Sequence, residues 1–315
     1  MSQIQPLDTY KIGGYRLPIP CHLCGENNLY EAVTCANCAS PMDLSRSLHG
    51  NECVKPQLIV PVGAGDTGKT VYLGMLLDIL SRQGRSDITT HGAASVTVQQ
   101  TVIRALARQY FPEPTSREPL HWAWTHCRLA RRTSSDHLHA FVPDMSGESI
   151  LRDADDESFP QVRHILRKAT GIMLFLDAGR LQAGDKDEEF FALKILRFIE
   201  GIIEHPVAPE NTSRRKRGPQ PLPQLPPVSV VLAKADECDE CFDNPSDYVR
   251  GQMPNLWQAL KTVAPQHAIF AASAVGAVAD IPLAAGEFTK VPLRIEPRGI
   301  LEPFRWLLGQ FISQR

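Results

Sequence analysis

Leu58-Ile59-Val60-Pro61-Val62-Gly63-Ala64-Gly65-Asp66-Thr67-Gly68-Lys69-Thr70 is the stretch on which the reading of this chain turns. Its first five residues form an apolar run of strand length, and the residues from Val71 to Leu80 repeat apolar positions at helical spacing. Between them, Gly63 to Thr70 match G-x-x-x-x-G-K-T in full. A strand, a glycine-rich loop and a helix in this order suit a bound phosphate. Glycines let backbone N–H groups converge on the anion, and the helix N-terminus adds the positive end of its dipole. Gly63, Ala64, Gly65, Asp66, Thr67, Gly68, Lys69 and Thr70 are therefore the expected phosphate-binding residues. Lys69 reaches toward the terminal phosphates and the Thr70 hydroxyl toward Mg²⁺.

Outward from the loop, further apolar runs each end in polar residues. His137 to Pro143 leads into Asp144-Met145-Ser146-Gly147-Glu148, Gly171 to Leu176 into Asp177, Val228 to Leu232 into Ala233-Lys234-Ala235-Asp236, and Ala268 to Ala272 into Ser273-Ala274-Val275. A helix is predicted from about Ser158 to Lys168 and a strand from Leu120 to Leu129. The expected fold is α/β, a three-layer sheet with helices on both faces, and such sheets bind ligands at the C-terminal ends of their strands. Ala233-Lys234-Ala235-Asp236 resembles the N/T-K-x-D guanine-recognition element. The resemblance implies that the Asp236 carboxylate accepts hydrogen bonds from guanine N1 and N2, which adenine cannot supply in the same way, while the Lys234 stem covers the base.

Asp144-x-x-Gly147 resembles the D-x-x-G element, Ala233 to Asp236 the N/T-K-x-D element and Ser273-Ala274 the S-A-K element of TRAFAC-class GTPases, in the family order over about residues 57 to 276. Within that class the texture, including the closing stretch from Val291 to Phe304 and an apolar helix to Phe311, resembles the bacterial double-GTPase domains of multi-gene conflict systems. The resemblance implies a Ras-like sheet, GTP or GDP as ligand, and Mg²⁺ held through water by Asp144. It also implies the Gly147 N–H at the γ-phosphate and a backbone N–H of Ser273-Ala274 at guanine O6. A switch threonine should stand before the strand that precedes the D-x-x-G strand. Thr115 is the choice, with Thr89, Thr90 and Thr97 as alternatives.

Two departures from the family pattern stand out. Ala233 replaces an Asn or Thr that braces the phosphate loop, and Glu148 stands where Ras-like proteins carry a water-orienting Gln. No arginine finger is assigned, although Arg152 lies in the right region. The expected function is a Mg²⁺-dependent switch that binds and slowly hydrolyses GTP and recruits protein partners, with Lys69, Thr115 and Glu148 catalytic. The rivals are an ATP-using P-loop protein and a scaffold that binds nucleotide without turnover.

Four of the eight cysteines fall as Cys21-x-x-Cys24 and Cys35-x-x-Cys38. Two such knuckles bring four thiolates to one centre, which suits structural Zn²⁺ and leaves no open position for chemistry. The expected organisation is a zinc ribbon at 15–45 and a nucleotide domain at 55–315. A second pair, Cys238 and Cys241, reads as surface thiols. The chain has 33 Lys and Arg against 35 Asp and Glu, a balance that argues against nucleic acid as partner. No apolar run of membrane-spanning length and no basic-then-apolar leader occurs, so a cytoplasmic protein is expected. The basic run Arg214 to Arg217 leads into a proline-rich stretch and reads as a solvated loop within 210–227.

Overall fold

The computed structural model describes residues 18–48, 56–83, 87–130, 137–204, 224–282 and 288–313. The basic run at 214–217 lies outside them, as does most of the 210–227 loop. The N-terminal segment pairs β1 (Ile19–Pro20) with β2 (Asn27–Asn28) and ends in α1 (Met42–Leu48).

The main sheet contains β3 (Gln57–Gly63), β4 (Ile88–His91), β5 (Trp124–Ala130), β6 (His137–Pro143), β7 (Gly171–Asp177), β8 (Val228–Ala233) and β9 (His267–Ala271). Their order is β4-β5-β6-β3-β7-β8-β9. Strands β6, β3, β7, β8 and β9 run parallel, whereas β5 is antiparallel to both β4 and β6. The parallel strands read as unbroken apolar runs because both of their faces are covered. Successive side chains alternate between two cores. Val60, Val62, Ile172 and Leu174 enter one, and Ile59, Met173 and Phe175 the other.

The second core is closed by α2 (Lys69–Arg82) and α11 (Leu301–Ser313), through residues such as Leu73, Leu76, Phe304 and Leu307. The first is closed by α4 (Gly147–Asp156), α5 (Pro160–Lys168), α6 (Ala178–Gln182), α7 (Asp187–Glu204), α9 (Pro245–Gln252) and α10 (Pro254–Val263). The ribbon covers the same face over β5 and β6. Ile19, Leu23 and Met42 join the first core together with Trp122, Trp124 and Phe141, and the His22 ring lies 4.9 Å from that of Phe141. The result is the expected mixed α/β fold in three layers.

Some details differ from the sequence reading. The strand expected from Leu120 starts at Trp124, because Pro119 to His121 form a 3₁₀ turn. The helix expected from Ser158 starts at Pro160, a proline suited to the first helical turn. A separate α4 precedes it, ended by Glu157 in the left-handed region at φ 57°. The sequence reading also passed over α1, β4, α3 (Ala93–Ala107), α7, α10 and an antiparallel hairpin of β10 (Ala277–Pro282) and β11 (Phe288–Arg294) outside the main sheet. Among the described residues no helix is long and apolar enough to cross a membrane.

Helices α2 and α3 approach most closely at Gly74, where an added Cβ would stand 2.4 Å from the Val102 side chain. Gly74→Ala is expected to cost about 1–3 kcal/mol through overpacking. A lower urea midpoint at unchanged m-value checks it, and an unchanged midpoint would show that Val102 moves aside freely.

Candidate functional site

Beyond the C-terminal ends of β3, β7 and β8 opens one cavity of about 700 Å³, running from Gly65–Thr70 at one end to Asp236 and Ala274 at the other. That volume is within the range of small-molecule sites. At its first end Gly68 adopts φ 84°, the left-handed conformation glycine takes without strain, and the chain turns directly into α2. Lys69 is 6% exposed, and its ammonium donates to the carbonyls of Gly63 (3.0 Å) and Ala64 (2.7 Å) and to Thr67 Oγ1 (3.3 Å). Burial pushes the ammonium down to about 8, with Asp144 opposing that shift.

Thr70, Thr115 and Asp144 meet beside the loop. Thr70 Oγ1 lies 2.8 Å from Thr115 Oγ1 and 2.9 Å from Asp144 Oδ2, and Thr115 Oγ1 lies 3.3 Å from the same oxygen. Adjacent ligands of octahedral Mg²⁺ stand about 2.9 Å apart, given Mg–O bonds near 2.1 Å. These hard oxygen donors therefore fit the ion. Burial raises the Asp144 carboxyl, an effect that Thr70 and the Lys69 charge counter. The alternatives to Thr115 are elsewhere: Thr89 and Thr90 are on β4, and Thr97 bonds back to Ala93 O within α3.

Gly147 opens α4 hard against the loop. A Cβ there would meet Gly63 O at 2.1 Å, so only glycine allows this approach. Glu148 follows, lining the cavity and ion-paired with Arg117. Arg152 instead faces Asp156, one helical turn on, at 3.7 Å.

At the other end Lys234 (φ 54°) holds its ammonium 2.7 Å from Asp177 Oδ2 and 3.5 Å from Asp66 Oδ2. Burial pulls the Lys234 ammonium down, and the Asp177 and Asp66 carboxylates more than offset this. With Ala at 233 no side chain braces the phosphate loop from that position; the Lys234–Asp66 contact is the tie from this turn. Ser273 Oγ lies 2.6 Å from Asp236 Oδ1, while its backbone N–H donates to Arg298 O at 2.9 Å. That corrects the expectation for Ser273: its N–H is taken, so it orients Asp236, and Ala274 is the residue of the pair that lines the cavity. Asp177, Arg180 and Glu188 were missed. Arg180 lines the cavity and lies 3.1 Å from Glu188, and the one sequence signal was a carboxylate ending an apolar strand.

In the N-terminal ribbon, the Sγ atoms of Cys21, Cys24, Cys35 and Cys38 all lie within 4.8 Å of one another. A tetrahedral ZnS₄ centre needs about 3.8 Å between sulfurs, given Zn–S bonds near 2.3 Å. Each knuckle turns at a left-handed residue, Gly25 (φ 80°) and Ala39 (φ 59°), whose N–H donates to the first cysteine's carbonyl. The set fits Zn²⁺.

Cys238 and Cys241 contradict the surface-thiol reading. Both are buried, with sulfurs 2.8 Å apart, and burial pushes the Cys241 thiol up. Acidic residues surround them, but both side chains join the first core, Cys241 from the short helix α8 (Glu240–Asp243) and Cys238 from the turn before it.

A family model described as Double-GTPase 2 matches residues 57–216. Among curated proteins the chain is similar to shikimate kinase 1 of Erwinia tasmaniensis, 28% identical over 119 residues, covering 38% of this chain and 64% of that protein. It is also similar to the shikimate kinase of Tolumonas auensis, 31% identical over 121 residues, covering 38% and 66%. The chain thus spans less than two thirds of the length of the curated relatives it matches. Similar solved structures include a nucleolar GTP-binding protein 1 of Plasmodium falciparum, with TM-score 0.38 and 11% identity over 82% of this chain and 90% of that one. The Arl6 small GTPase of Trypanosoma brucei with bound GppNp has TM-score 0.35 and 12% identity, over 82% and 99%.

Proposed function

This chain belongs to the Double-GTPase 2 family, and we propose that it is a Mg²⁺-dependent guanine-nucleotide switch of the cytoplasm that hydrolyses GTP and recruits a protein partner in one nucleotide state. The observation that carries the reading is one continuous cavity with a lysine, two threonines and a carboxylate at one end and a carboxylate braced by Ser273 at the other.

In this reading Gly63 to Thr70 wrap the phosphates, and Lys69 leaves the loop carbonyls to neutralise the β and γ oxygens. Thr70 and Thr115 would hold Mg²⁺, with Asp144 reaching it through water, and the ion would offset charge developing on the phosphoryl oxygens. Gly147 N–H donates to the γ-phosphate. Glu148 accepts a hydrogen bond from water, whose oxygen bonds to the γ-phosphorus as the bond to the β–γ bridging oxygen breaks. The products are GDP and inorganic phosphate, which keeps both of the water's protons. Asp236 accepts from guanine N1 and N2, Ala274 N–H meets O6 and the Lys234 stem covers the ring. The segments at 115 and 144–148 are held by the γ-phosphate and Mg²⁺ and relax on hydrolysis, and that change is what a partner senses. A place in a bacterial conflict system accords with the family.

A second reading, an ATP-using P-loop enzyme, is favoured by the shikimate kinase relatives. Calorimetric titration with GDP, a non-hydrolysable GTP analogue and the adenine counterparts, with and without Mg²⁺, separates the two. The expected result is a preference for guanine of at least about 100-fold, and Lys69→Ala should weaken binding by about 2–5 kcal/mol through loss of a buried charge partner. Equal binding of adenine would favour the kinase reading. Slow phosphate release from GTP tests turnover.

A further inference from the structure

We propose that Arg117 is a positioning residue that aims Glu148 at the attacking water. The inference rests on the GTP-hydrolysing reading above. Arg117 is two residues from Thr115, on a segment whose backbone is tied down twice. Ser116 O accepts from Trp122 Nε1 at 2.8 Å, and Arg117 O accepts from Ser149 Oγ at 2.8 Å. Trp122 and Ser149 are both buried, so these anchors are fixed to the core. The second one joins Arg117 to the residue that follows Glu148.

The two Glu148 oxygens are thereby given different environments. Oε2 faces the Arg117 guanidinium. Oε1 faces the phosphate loop, 3.8 Å from where a Cβ on Gly65 would stand. Arg117 thus holds one oxygen and leaves the other turned toward the phosphates, which is the task of a residue that orients water. An exposed ion pair contributes little net stability, and these side chains are 65% and 53% exposed. Removing the arginine should therefore spare the fold. No local pattern records the pairing, since the partners stand far apart in the chain.

The test is single-turnover GTP hydrolysis with Mg²⁺ by the full chain, comparing wild type, Arg117→Ala, Arg117→Lys, Glu148→Ala and the double alanine variant. Arg117→Ala should lower the maximal rate about 10- to 100-fold, part of the contribution expected of a positioned catalytic group, with KM and GDP affinity within about twofold. Free guanidinium should restore part of the loss, Arg117→Lys should fall between, and the double variant should be no slower than Glu148→Ala because the two act as one unit. Unchanged turnover in Arg117→Ala, beside a slowed Glu148→Ala, overturns this inference alone. Additive losses also overturn it, since Arg117 would then act on phosphate independently. A wild-type chain that binds GTP and releases no phosphate overturns the proposed activity as well.

Discussion

Loading the Cys21, Cys24, Cys35 and Cys38 cluster with Zn²⁺ and then stripping it with a strong chelator is expected to unfold the ribbon and uncover part of the main core. The segment is too short to bury a core of its own, and in small zinc peptides the metal supplies about 10–16 kcal/mol of apparent binding free energy that doubles as folding free energy. Here the consequence spreads, because Ile19, Leu23 and Met42 pack in one cluster with Trp122, Trp124 and Phe141. The expected readouts are a red-shifted tryptophan emission, a lower Tm and recovery of both on adding Zn²⁺. Cys35→Ser should behave as the stripped protein does. Unchanged emission and Tm after verified zinc loss would mean that apolar contacts alone hold the ribbon. Trp122 also donates to Ser116 O beside Thr115, so weaker Mg²⁺-dependent nucleotide binding should accompany the unfolding.

Asp236→Ala should abolish the preference for guanine. Two hydrogen bonds to a carboxylate at about 1.5–3 kcal/mol each correspond to roughly 10²- to 10⁴-fold in GDP affinity, while adenine nucleotides, which make neither bond, should bind as before. Ser273→Ala should give a smaller loss, again confined to guanine nucleotides, because it frees Asp236 to turn without removing it. Competition titrations check both. Equal losses for guanine and adenine would mean that the turn at 235–237 only supports the cavity wall.

How legible these features were depends on how local their causes are. The phosphate loop is eight consecutive residues whose backbone conformation is set by its own glycines and by the helix it opens. Spacing alone brought the four ribbon cysteines together, since each pair needs only one tight turn. The apolar runs 58–62, 171–176 and 228–232 announced strands covered on both faces. By contrast, Cys238 and Cys241 sit among acidic residues that suggested a surface, and only the packing of the Asp236 turn against the core buries their sulfurs. The β10–β11 hairpin escaped notice because its residues are largely exposed and carry no clear apolar alternation.

Sequence by itself therefore determined the α/β class, the phosphate loop, the order of the strand-end motifs and the chemistry of the ribbon, because each follows from residues within a few positions of one another. The tertiary structure decided which threonine joins Thr70 and Asp144, which backbone N–H near Ser273 is already taken, how Lys234 ties the base end to Asp66, and that Arg117 faces Glu148. The reason is physical. Each of those pairings joins segments dozens of residues apart, or more, and nothing in a local pattern records the contacts that arise only when the sheet closes and its loops converge beyond one edge.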